Sequence, residues 1–321
     1  MPRRRIGQLG LMDAELSRRP NRRGDGLGRL SNLIDWARFE ALLNGIHSSA
    51  KGEASYPPLM MFKVMLLQRW YALSDPAMEA ALSDSLSFMR FAGLSLEDET
   101  PDHSTIWRFR QALGKNGLLD ALLAELNRQL DGRGMVIRQG TLIDASVVSS
   151  AAHRPKMDEG KRSEVDPDAR FGTTNDRGRF VFGYKMHVAV DAGSGLVRGA
   201  RVTGANEQDV TVAPRLLEEA AGTVYGDRGY DSDGLRRELQ ARGLGDGLMR
   251  RRRGCELTAA ETERNHQLSL IRRSVEKLFG TMKRSYRLGR MRAFGLTRVT
   301  IDLMLFCLAF NMRRLTALSP P

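Results

Sequence analysis

Apolar positions give the chain two textures. Across residues 32–131 they recur at helical spacing, with polar residues between them. Asp35 can cap a helix carrying Trp36, Phe39, Leu42, Leu43 and Ile46. Pro57 and Pro58 open LMMFKVMLLQRWYAL, which is apolar around most of its circumference and is the expected centre of an all-helical domain. Asp75 and Pro76 start a helix running through Leu82 and Leu86. Asp102 caps HSTIWRFRQAL, which stops at Gly114, and LLDALLAELNRQL follows.

After Gly132 and Gly134 the pattern changes to short apolar runs. MVIRQGTLIDASVV reads as a strand with Asp144 inside it, and a carboxylate there is costly unless something compensates it. Residues 153–179 have no periodicity and read as a long loop. FVFGYKMHVAV and LVRGARVT read as a hairpin turning at Asp191–Gly195, and ANEQDVTVAPRLLEEA as a helix. GTVYG is a short strand ending directly in Asp227, Arg228, Gly229 and Tyr230, the end at which α/β sheets carry ligand-binding groups. A polar helix, SDGLRRELQARG, and the run Arg250–Arg253 follow, and VTIDLMLFCLAFNMRRL closes the chain as a buried helix.

Between these last pieces lies LSLIRRSVEKLFGTMKRSYRLGR, residues 268–290. Leu268, Ile271, Val275, Leu278, Phe279, Met282 and Tyr286 form one apolar stripe at helical spacing. With Arg272 at zero and about 100° per residue, Glu276 falls near ~40°, Lys283 near ~20°, Arg287 near ~60° and Arg290 near ~0°. One helix would therefore present a single carboxylate bracketed by cations beside its apolar stripe. An i,i+4 pair between Arg272 and Glu276 accounts for that carboxylate equally well on this stretch alone.

Charge sharpens the picture. With 50 Lys and Arg against 38 Asp and Glu, the 321-residue chain carries +12, which points to a polyanionic partner, nucleic acid before membrane. Residues 1–31, rich in Arg and Gly, read as a basic flexible arm. Two short helices before one bearing Arg108 and Arg110 suggest a helix-turn-helix arrangement, although packing explains the pattern too. Cys255 and Cys307 share no metal-ligand spacing, which excludes a thiolate zinc site and suits a reducing compartment. MPRRRIGQLGLMDAEL lacks the apolar core of a secretory signal, and Asp302 interrupts the longest apolar run. A cytoplasmic protein with no membrane partner is expected.

Asp144, Asp227 and Glu276 come from separate elements, 83 and 49 residues apart. Carboxylates brought together from such distances beside Arg and Lys suit hard divalent cations, Mg²⁺ above all with Mn²⁺ as a substitute. Two such ions would activate a water or hydroxyl and stabilise the leaving oxygen in phosphodiester displacement. No GxSxG or P-loop supplies a rival chemistry.

At these residues the chain resembles the DDE transposases of bacterial insertion sequences, in the group typified by insertion sequence five. LIDASVV is similar to that family's first catalytic block, YGDRGYDS to its second and RRSVEKLFGTMK to its third. The third follows Tyr-x2-Arg-x3-Glu-x6-Lys, met by Arg272, Glu276 and Lys283, with Ser269 at the Tyr position. VTGANEQDV and PDHSTIWRFRQAL are also similar to family segments.

The resemblance implies an α/β ribonuclease H-like catalytic domain over residues 132–321, a mixed sheet flanked by helices, behind a helical DNA-binding domain over 32–131. It implies Asp144, Asp227 and Glu276 as catalytic residues and Mg²⁺ ligands. It further implies cleavage at the ends of an insertion sequence and joining of the 3′ ends to target DNA. Arg272, Lys283, Arg287, Arg290, Arg108 and Arg110 are the candidate DNA contacts, to double-stranded terminal inverted repeats and target. A homodimer or larger assembly on DNA, associated with a prokaryotic nucleoid, follows by the same analogy. The rival readings are a ribonuclease H-like nuclease or resolvase and an inactive transposase-derived DNA-binding protein.

Overall fold

The computed structural model describes residues 3–8, 10, 26–46, 54–115, 117–155, 162–173, 180–254 and 256–319. Most of the basic arm expected over 1–31, part of the 153–179 loop, and Cys255 lie outside these residues. The chain divides into two compact units, residues 1–129 with 308–321, and residues 130–307.

The first unit is helical: α1 (Gly26–Leu33), α2 (Trp36–Leu43), α3 (Pro58–Trp70), α4 (Asp75–Asp84), α5 (Leu86–Ala92) and α6 (His103–Leu113). Asp35 and Asp102 cap α2 and α6 as expected, accepting from the N–H groups of Ala37 and Thr105. α3 is the buried centre, with Phe62, Val64, Leu66 and Leu67 fully inaccessible. Phe62 stacks on Phe39 with ring centres 5.7 Å apart. The single helix expected from Asp75 through Leu86 is two, because Ser85 turns extended and caps α5. Within the stretch expected as an arm, Gly26–Leu33 is helical and Arg4 pairs with Glu99 at 2.7 Å.

The second unit is built on one mixed sheet of β1 (Gly140–Ser149), β2 (Arg170–Thr173), β3 (Phe180–Asp191), β4 (Val197–Gly204), β5 (Thr223–Gly226) and β6 (Gly245–Leu248). β1 pairs antiparallel with β3 and parallel with β5, and β5 pairs parallel with β6. β2 and β4 share the other edge of β3, along its first and later residues respectively. The sequence places a strand from Met135, but pairing starts only at Gly140.

α7 (Leu118–Gly132) precedes the sheet in the chain and spans the boundary between the units at residues 129 and 130. α8 (Asp209–Leu216) and α9 (Asp233–Ala241) pack with Ile143, Val224, Tyr230 and Leu248 in its core. α10 (Ala259–Arg284) packs on β1 and β5, and α11 (Leu296–Leu318) ends the chain. A reciprocal capping box between Thr258 and Glu261 starts α10. Its stripe of Leu268, Val275, Leu278, Phe279 and Met282 is buried as expected, whereas Ile271 is exposed. Among the described residues no helix is long and apolar enough to cross a membrane.

Candidate active site

The site begins with strand register. In the parallel β1–β5 ladder, Leu142 lies opposite Tyr225. Two residues further along stand Asp144, in the middle of β1, and Asp227, just past the end of β5, close enough for the Asp227 charge to raise the Asp144 carboxyl. β5 ends at Gly226, so Asp227 opens a 3₁₀ turn, Arg228–Tyr230, and its Oδ1 accepts the Gly229 N–H at 2.8 Å.

Asp144 is 9% exposed. Its Oδ1 accepts the N–H of Ala145 and its Oδ2 accepts from Arg272 Nη2, each at 2.8 Å. Burial pushes this carboxyl up to about 6 from an ordinary 3.8. Arg272 pulls the other way and the Asp227 charge adds to the rise. One arginine therefore under-compensates the two facing carboxylates.

Asp227 and Arg272, the partner of Asp144, line a cleft of about 1920 Å³, together with Ser146, Arg228, Arg251, Lys283 and Arg290 among others. Arg272 and Lys283 thus reach one cleft from one helix, while Glu276, a turn beyond Arg272, is exposed. Among the described residues no group of three or more Asp, Glu, His or Cys side chains forms a metal cluster. The hard oxygen donors and uncompensated charge of Asp144 and Asp227 nevertheless fit a divalent cation.

Arg287 and Arg290 do not continue the helical face. α10 stops at Arg284 and Arg287 takes a left-handed backbone, φ 55°. The next residues run beside the end of β1, where the Ser149 N–H donates to the Gly289 carbonyl and the Met291 N–H to the Ser149 carbonyl. Arg290 enters the cleft from that segment, its guanidinium donating to the Ala151 carbonyl at 3.3 Å. Buried Tyr286 and Leu288 extend the apolar pattern beyond the true end of the helix, which conceals it.

Arg110 and Arg108 also differ. Arg110 is 15% exposed and donates to Asp75 Oδ2 at 3.0 Å and Gln68 Oε1 at 2.7 Å, so it braces the helical unit. Arg108 is exposed, with a 2.8 Å bond to Ser104 Oγ.

Asp209 is the residue that pattern reasoning passed over, although its segment was legible. It lines the cleft and accepts from Lys185 Nζ at 2.9 Å. Lys185 projects from β3, opposite Val147. Next to it, burial and then the Lys185 charge lower the His187 imidazole to about 4, leaving it neutral. His187 Nδ1 lies 3.8 Å from Asp209. The wholly buried Tyr230 hydroxyl has no hydrogen-bond partner among the described residues. Burial, then the charges of Asp209, Asp144 and Asp227, hold its pKa well above the ordinary range.

A sheet of this order, with one aspartate inside its β1 strand and another just past the end of the parallel neighbour β5, beside a basic cleft, defines a ribonuclease H-like domain. Comparison with protein families agrees. The family described as "Transposase DDE domain" matches residues 137–312, and "Transposase domain (DUF772)" matches residues 15–112. The chain belongs to the DDE transposases of insertion sequences. No solved structure matches it.

Proposed function

We propose that the protein cleaves the phosphodiester bonds at the ends of its insertion sequence and joins the freed 3′ ends to target DNA. The observation that carries this is the pair Asp144 and Asp227, carried by the parallel neighbours β1 and β5, with Asp144 held by Arg272 and with Asp227 and Arg272 lining a basic cleft. Asp144 and Asp227 would hold Mg²⁺, with Glu276 completing the set from α10. When bound, Mg²⁺ supplies Lewis-acid stabilisation of the attacking and leaving oxygens.

The chain's own residues do the rest. Burial under Arg272 keeps Asp144 dry and fixed, and Gly229 holds the Asp227 carboxylate through its N–H. Arg272 and Lys283 sit where they can offset the charge of a bound phosphodiester, with Arg290 beside them. Metal binding would release Arg272 from Asp144 for that task. Exposed Arg108 suits recognition of the terminal repeats by the helical unit, and action on two ends calls for a dimer or larger assembly on DNA.

The test is cleavage and joining of DNA carrying the element ends, with Mg²⁺ or Mn²⁺. Asp144→Ala, Asp227→Ala and Glu276→Ala should each abolish product while DNA binding persists. An Asp227→Ala protein that still nicks and joins would overturn the assignment. Cleavage of branched DNA without dependence on terminal repeats would favour a resolvase instead.

A further inference from the structure

The run Arg250–Arg253 leaves β6 for α10, and its four arginines have different partners. Buried Asn265 holds the backbone of Arg250 on both sides: its Oδ1 accepts the Arg250 N–H at 2.8 Å and its Nδ2 donates to the carbonyl at 2.9 Å. Asp231, with a side chain only 2% exposed, accepts from Arg236 Nη2 and from the Arg251 N–H, each at 2.8 Å. Arg253 closes the turn by donating to the Asp231 carbonyl at 2.7 Å. Arg252 pairs with Glu256 at 2.8 Å. The Arg251 guanidinium has no hydrogen bond or ion pair among the described residues, and it lines the cleft that holds Asp227 and Arg272.

A run of four like charges would separate in solution unless something fixed it. Here a buried carboxylate fixes the backbone and leaves one guanidinium free, which is the arrangement of a preorganised anion site. Asp231 also ends the turn that begins at Asp227, so one short segment carries both the carboxylate and the anchor of the arginine loop.

We propose that Arg251 is a phosphate-binding residue for double-stranded DNA entering the cleft, and that Asp231 is the positioning residue that aims it. This rests on the DNA-processing role proposed above and adds a contact to it. Arg228, exposed and lining both this cleft and a smaller adjoining cavity with Arg252 and Ser269, continues the basic path.

The test uses the full chain and a short fluorescent duplex of arbitrary sequence, with binding followed across a salt series in EDTA. Arg251→Ala should weaken binding and lower the slope of log K against log salt by about 0.9, the loss of one phosphate contact. Asp231→Asn should reproduce that loss, and adding it to Arg251→Ala should cost nothing more. Arg242→Ala, which removes a guanidinium held by Glu238, should leave the slope unchanged. Arg251→Ala binding like wild type would overturn the proposal, and because its side chain is exposed a folding defect is not expected to intervene. An equal loss in Arg242→Ala would also overturn it, by showing an effect of bulk charge. A wild-type chain that fails to bind duplex would instead sink the DNA-processing role itself.

Discussion

Asp144→Asn should make the metal-free protein more stable. A carboxyl with a folded pKa of about 6 and an ordinary value of 3.8 is easier to ionise in the unfolded chain. Each step of one in pKa is worth about 1.4 kcal/mol, so near neutral pH the ionised Asp144 costs the fold roughly 3 kcal/mol. The attraction of Arg272 is already contained in that value. Asparagine resembles the protonated acid and removes the penalty. For a unit of this size the melting temperature should rise by roughly 6–12 °C. The sign follows from proton counting. The folded state binds the extra proton, so the penalty is complete above about pH 6 and disappears as pH falls towards 3.8. The wild type and the variant should therefore converge in acid. Thermal melts in EDTA across that range provide the assay, and added Mg²⁺ should stabilise the wild type alone. A variant melting at or below the wild type near neutrality would refute the reasoning.

The opposite slope belongs to His187, lowered to about 4 from 6.5, which favours the fold while neutral and costs stability as pH falls between those values. His187→Gln should flatten acid destabilisation over that window, measured by denaturant unfolding. Gly229→Ala should reduce Mg²⁺-dependent cleavage strongly with little change in melting, because an added Cβ would lie 2.9 Å from Asp227 Oδ1 and displace that carboxylate. Arg110→Ala should cost about 2–3 kcal/mol in denaturant unfolding by stranding partly buried Asp75 and buried Gln68, while leaving duplex affinity unchanged.

Stability lost at Asp144 has a functional counterpart. A buried carboxylate held by one arginine and facing the charge of a second carboxylate is poor packing chemistry, and such penalties gather where a site awaits a cationic ligand. That is why the burial and charge environment of Asp144 bears on function more than its position in a motif does.

By itself the sequence determined the local structure. Side-chain caps at Asp35, Asp102 and Thr258, the apolar circumference of α3 and the stripe of α10 are encoded within a few residues of where they act. So were the order of the carboxylate-bearing blocks and the basic balance of the chain. The tertiary structure decided what depends on residues distant in sequence. β2 and β6 carry no readable alternation, and Gly245–Leu248 is a strand because β5 offers it a ladder. The end of α10 was hidden because an apolar pattern marks burial rather than backbone, and buried side chains continue past Arg284. Arg110 was drawn to Asp75, 35 residues away, by the cost of leaving a half-buried charge unpaired. Asp144 and Asp227 are brought to one site because β1 and β5 pair in parallel, which no single segment specifies. Asp209 entered the cleft because α8 packs across β3 and β4.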